Sequence, residues 1–130
     1  KVIGVVNCYS TGDYEFRGKT VEGATLVSTA TLSHDFLPAP APGFSPSNGQ
    51  VVDPNNTVVT WSAPGAERVE IILENSDLGH VFDVIVSGST TRLNVPPQFL
   101  ARGLEYKIEI LAIAENGNRT IVESTFVTMP

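Results

Sequence analysis

Apolar and polar residues alternate with period two along most of this chain, which is the pattern of half-buried β-strands. The clearest runs are Thr57-Val58-Val59-Thr60-Trp61 and Glu105-Tyr106-Lys107-Ile108-Glu109-Ile110. Each brings one large aromatic residue, Trp61 or Tyr106, to a shared core. Nearer the N-terminus, Tyr14-Glu15-Phe16-Arg17-Gly18 and Ala24-Thr25-Leu26-Val27-Ser28-Thr29-Ala30-Thr31-Leu32 alternate as well. The glycine-bearing Val21-Glu22-Gly23 between them predicts a β-hairpin, and residues 2–9 would add a third strand. Helical spacing persists nowhere for more than about a turn. Only Pro97-Gln98-Phe99-Leu100-Ala101 predicts a single helical or 3₁₀ turn. The expected class is therefore all-β, a sandwich or barrel.

The pattern breaks once. Leu37-Pro38-Ala39-Pro40-Ala41-Pro42-Gly43 alternates proline with alanine, so it should be extended and unable to donate to a sheet. This places a linker at residues 38–43 and a small sandwich at residues 44–130. The segment before it, residues 1–37, is too short for a core of its own. Its strands need cover, either from the sandwich or from other strands of a preceding, incomplete domain; the second is the expectation. Lys1-Val2-Ile3-Gly4-Val5-Val6 opens in the middle of a strand pattern, which suggests a piece of a longer protein.

Charge and composition narrow the function classes. The 130 residues carry a formal net charge of −6, and the 8 lysines and arginines are scattered singly. Neither nucleic acid nor an anionic membrane surface is an expected partner, since both need clustered cations. No apolar run approaches the roughly 20 residues of a membrane-spanning helix. The single cysteine, Cys8, cannot form an internal disulfide and is read as a packed apolar thiol at a strand end.

From about Phe44 to Thr128 the chain resembles a fibronectin type III domain. The residues that carry the likeness are the proline-bearing opening Phe44-Ser45-Pro46-Ser47-Asn48-Gly49 and Trp61-Ser62-Ala63-Pro64, where a buried tryptophan is followed by a proline. Leu100 stands six residues before Tyr106, and Asn116-Gly117 forms a turn ahead of Ser124-Thr125-Phe126-Val127-Thr128. Arg102 and Leu104 depart from the family pattern at the corner before Tyr106. The resemblance implies an immunoglobulin-like β-sandwich with seven strands, A, B, C, C′, E, F and G. It also implies an interaction or spacer role in an extracellular or cell-surface protein. On this reading Val59, Trp61, Val69, Ile71, Leu73, Phe82, Val84, Leu93, Val95, Tyr106, Ile108, Ile110 and Phe126 point inward. The Tyr106 hydroxyl should return to an upstream main-chain group.

The outward face of the C, C′, F and G strands is the candidate interaction surface: Glu70, Ile72, Glu74, Asp83, Ile85, Lys107 and Glu109. Facing carboxylates there, Glu105 included, could suggest acid–base hydrolysis, but a solvated face of cross-strand pairs accounts for them more simply. His80 lies near Asp77 and Asp83 in sequence, yet Asn75-Ser76-Asp77-Leu78-Gly79-His80 reads as a polar hairpin turn. His34 reads as a surface residue. Asn55-Asn56-Thr57 and Asn118-Arg119-Thr120 match the glycan acceptor pattern and fall in turns. No catalytic residue, cofactor or metal is expected. The partner is expected to be a protein or a neighbouring domain, with the N-terminal strands available to pair with another chain. An accessory region of a secreted hydrolase, with catalysis elsewhere, is the alternative.

Overall fold

The computed structural model describes residues 8–35 and 43–130, with His80 described by its main chain alone. Residues 2–7 of the strand expected at 2–9, and residues 38–42 of the linker expected at 38–43, lie outside these residues. The chain divides into two compact units, Lys1–Asp35 and Phe36–Pro130.

In the first unit, β1 (Gly12–Lys19) and β2 (Thr25–Leu32) form an antiparallel hairpin. Thr20 and Gly23 close its turn, the Gly23 N–H donating to the Thr20 carbonyl at 3.0 Å. The register sorts the side chains by chemistry. Tyr14 lies opposite Ala30, Phe16 opposite Ser28 and Gly18 opposite Leu26. The other face pairs Asp13 with Thr31, Glu15 with Thr29 and Arg17 with Val27. Cys8 and Tyr9 belong to no strand, and Cys8 is exposed. The expected packed thiol is thus not found, because the chain bends at this point ahead of β1.

The second unit contains two sheets. β3 (Gln50–Val52), β9 (Arg119–Thr128), β8 (Glu105–Ile113), β5 (Arg68–Asn75) and β6 (Gly79–Ser87) form a five-stranded sheet in that order. β4 (Val58–Thr60) and β7 (Arg92–Asn94) form a smaller one, extended by a bridge between Ser45 and Thr60. The chain therefore bonds first to β4 and then, as β3, runs parallel to β9. Asn48 and Gly49 make this switch with φ of 53° and 71°, a left-handed conformation that glycine and asparagine tolerate best. A 3₁₀ turn at Pro97–Phe99 stands where one was expected.

Both sheets bury alternate residues against one core. Val59, Val69, Ile71, Leu73, Tyr106, Ile108, Ile110 and Phe126 have no measurable exposure, and Trp61 retains 5%. Phe82, Val84 and Leu93 also pack on this core but stay partly exposed, as inward residues near a sheet margin do. Tyr106 stacks on Phe126 with ring centroids 5.5 Å apart. Its hydroxyl accepts the Ala101 N–H at 2.8 Å, which ties the corner before β8 to the core. Thr128, 1% exposed, completes that corner: its hydroxyl accepts the Leu104 N–H at 3.0 Å and donates to the Ala101 carbonyl at 2.7 Å. Arg102 and Leu104, the two departures from the family pattern, are accommodated there. Arg102 donates to the Pro130 carbonyl, and Leu104 bonds to Thr128 in both directions.

Candidate functional site

The outward side of the five-stranded sheet is a broad face whose rows follow from strand register. One row runs Ile85, Glu70, Leu111, Ile121 across β6, β5, β8 and β9. The next runs Asp83, Ile72, Glu109, Glu123, and a third aligns Glu74, Lys107 and Thr125. All seven residues expected at this surface lie on it. Glu70 differs from the expectation in one respect: it is 8% exposed rather than solvated. Arg119 arches over it from β9 and donates from Nη1 to Glu70 Oε2 at 2.6 Å. Alternation predicts which side a residue faces, but not whether a long neighbour will lie across it.

Four acids on this face, Glu70, Glu74, Glu109 and Glu123, lie against cations. Lys107 Nζ bonds Glu109, lies 3.0 Å from Glu123 and 3.9 Å from Glu74. Hydrogen bonds to Glu109 and then Glu123 hold the Lys107 ammonium well above the ordinary lysine range. Glu109 and Glu123 are directly opposite each other, so without Lys107 two like charges would face across the strands. This geometry is an open sheet face and not a cleft enclosing two acids. At one end of the strands a polar groove of about 470 Å³ opens among Asn75, Asp77, Glu105 and Lys107. Asn75 shapes its rim, donating from Nδ2 to the Glu105 carbonyl at 2.8 Å and accepting the Asp77 and Leu78 N–H groups.

Four residues of this face are absent from the sequence candidates: Leu111, Ile121, Arg119 and Glu123. Ile121 is 51% exposed and Ile85 47%, with Leu111 half-buried between them. Leu111 and Ile121 are apolar neighbours on β8 and β9, and Ile85 on β6 stands across Glu70 of β5 from them. The signal for Leu111 was present. Ile110-Leu111-Ala112-Ile113 is a continuous apolar run, which in a strand means that both faces are at least partly covered. Ile113 faces outward by register and is nevertheless 2% exposed.

The remaining candidates are scattered. Asp77 lies in the β5–β6 turn and Asp83 on the outward sheet face. His34 is half-buried rather than fully on the surface, and its Nε2 is covered. Thr57 of the first glycan-acceptor triplet is 3% exposed and donates its hydroxyl to the Asp53 carbonyl. Asn118 of the second sits in the β8–β9 turn. In the hairpin unit, Tyr9, Tyr14, Phe16, Ala30 and Leu32 line an open apolar groove of about 420 Å³.

The order of strands, the corner at Tyr106 and the core of Trp61 and Phe126 can be set beside known proteins. No protein-family model matches the chain. Among solved structures, the solution structure of the fn3 domain of the human collagen alpha-1(XX) chain superimposes with a TM-score of 0.54 at 20% sequence identity. The match covers 77% of this chain and 88% of that one. The fold is that of a fibronectin type III domain. In the vocabulary of that fold β4 is strand B, β5 is C, β6 is C′, β7 is E, β8 is F and β9 is G. The candidate face is accordingly the outward surface of the C′–C–F–G sheet, and the polar groove lies beside its C–C′ turn.

Proposed function

We propose that the chain supplies a non-catalytic protein-interaction module to a larger extracytoplasmic protein, and that it binds through the outward face of the five-stranded sheet. The observation that carries this reading is a set of apolar side chains on a face otherwise rich in charge: Ile85 and Ile121 exposed, Leu111 and Ile72 half-buried between them. Apolar residues at the centre of a patch with a charged rim are the usual anatomy of a protein-binding surface. Around them Glu74, Asp83, Glu109 and Glu123 outnumber Lys107, while Glu70 lies among the apolar residues under Arg119. The partner of matching chemistry is a protein patch with apolar residues at its centre and lysines or arginines around it. Buried apolar contact supplies affinity, while the acidic rim steers encounter and falls off with salt. The test compares capture of partners by the wild type and by Ile121→Glu, which leaves the core untouched. Loss of the same partner from the variant supports the reading; equal capture contradicts it.

A second reading, an accessory region of a secreted hydrolase, is favoured by one observation. Tyr9 and Phe16 on the hairpin are 56% and 60% exposed, and aromatic faces of that kind can stack on sugars. Glycan-array binding abolished by Phe16→Ala would support it, and no glycan signal from the wild type would remove it.

A further inference from the structure

β6 ends the five-stranded sheet on one side, pairing with β5 and with no other described strand. An open edge is a template for another chain, and proteins usually blunt it with proline, lysine, a bulge or a short strand. Phe82-Asp83-Val84-Ile85-Val86-Ser87 has no proline, lysine or glycine. The register irregularity of this strand pair falls between Leu73 and Glu74, opposite Val81 and therefore outside that stretch. Gly88 marks the other limit. Its N–H donates to the Glu67 carbonyl at 2.8 Å, and a Cβ placed there would lie 1.8 Å from the Ala66 carbonyl oxygen. Main chain from the preceding loop thus occupies the space at Gly88. Between these limits the inward side chains Phe82, Val84 and Val86 pack on the core yet remain partly uncovered.

We propose that two copies of this chain pair β6 with β6, antiparallel, about a two-fold axis at Val84, joining their sheets into one. Opposed residues in an antiparallel pair share a face, so the axis must pass through a residue position. An axis at Asp83 would set the two aspartates directly against each other, which is unfavourable. An axis at Ile85 would place Phe82 opposite Gly88, where the Ala66–Glu67 main chain already sits. An axis at Val84 sets Asp83 opposite Ile85 and Phe82 opposite Val86. It lines up the uncovered inward residues of both copies along one continuous margin and gives each edge main-chain partners. The contact is isologous and closed, so it stops at two copies. The opposite edge strand, β3, is only three residues long. This contact is made by main-chain groups of the sheet edge; Asp83 and Ile85 adjoin the outward face discussed above, while Leu111 and Ile121 lie away from it.

Sedimentation equilibrium of the 130-residue chain over a wide concentration range should show a mass rising from 13.9 kDa towards twice that value. Val84→Lys should weaken the association by about tenfold or more, since an inward charge is a natural edge blocker. A register readout guards against a variant that merely misfolds. In a Cys8→Ser background, Val84→Cys should cross-link to its own copy on oxidation, because residues opposed across the axis have Cβ atoms about 4.5–5.5 Å apart. Asp83→Cys and Ile85→Cys should cross-link with each other when mixed, and poorly with themselves. Three results would overturn the proposal: a monomer throughout, self-cross-linking as strong at 83 and 85 as at 84, or a dimer kept by Val84→Lys and lost with Phe16→Ser.

Discussion

At the scale of single residues, the fold depends on a few side chains whose roles differ. Trp61 is almost fully buried in the core, and its Nε1 has no hydrogen-bond partner among the described residues, so its contribution there is packing. Trp61→Ala should lower unfolding free energy by about 3–5 kcal/mol, read from denaturant midpoints. Tyr106 contributes packing and a polar tie. Tyr106→Phe keeps the stack on Phe126 but removes the acceptor of the Ala101 N–H, at a cost of about 0.5–1.5 kcal/mol by the same measurement. No change on that substitution would mean the corner is held by Thr128 alone. The inward positions of Trp61 and Tyr106 were legible from alternation. Thr128, Asn75 and the burial of Glu70 were not, because each depends on a partner 24 to 49 residues away that only the folded register supplies.

Strands were easier to find than to delimit. Alternation located both hairpin strands and the runs around Trp61 and Tyr106, since each has one wet and one dry face. It stops being informative where both faces are covered, which is why β8 was expected to end at Ile110 and in fact reaches Ile113. β9 likewise begins at Arg119, ahead of the run ending in Thr128 that marked it in sequence. The residues lost with those ends, Leu111, Arg119, Ile121 and Glu123, are the ones that complete the candidate face. Lys107 gives this element its own test. Its ammonium is favoured in the folded state, so its stabilising effect is complete below the unfolded lysine value near 10.5 and fades as pH rises through the higher folded value. The wild type should therefore be more stable than Lys107→Gln at neutral pH and low salt. That gap should narrow with added salt and again in strongly alkaline solution, as thermal unfolding would show. A gap unaffected by either would point to packing of the lysine stem instead.

At the scale of the whole molecule, the fibronectin type III fold places its aromatic anchors inside and leaves recognition to surfaces. The outward sheet face offers apolar side chains set among acidic ones, and the β6 edge offers main-chain hydrogen-bonding groups. These are separable, because Ile121 lies three strands away from β6 in the sheet order. The most direct measurement is calorimetric titration of a captured, purified partner against the wild type, Ile121→Glu and, as a control on the hairpin, Thr29→Glu. The account predicts that Ile121→Glu loses affinity by about tenfold or more while Thr29→Glu binds as the wild type does. Equal affinity across all three would contradict it.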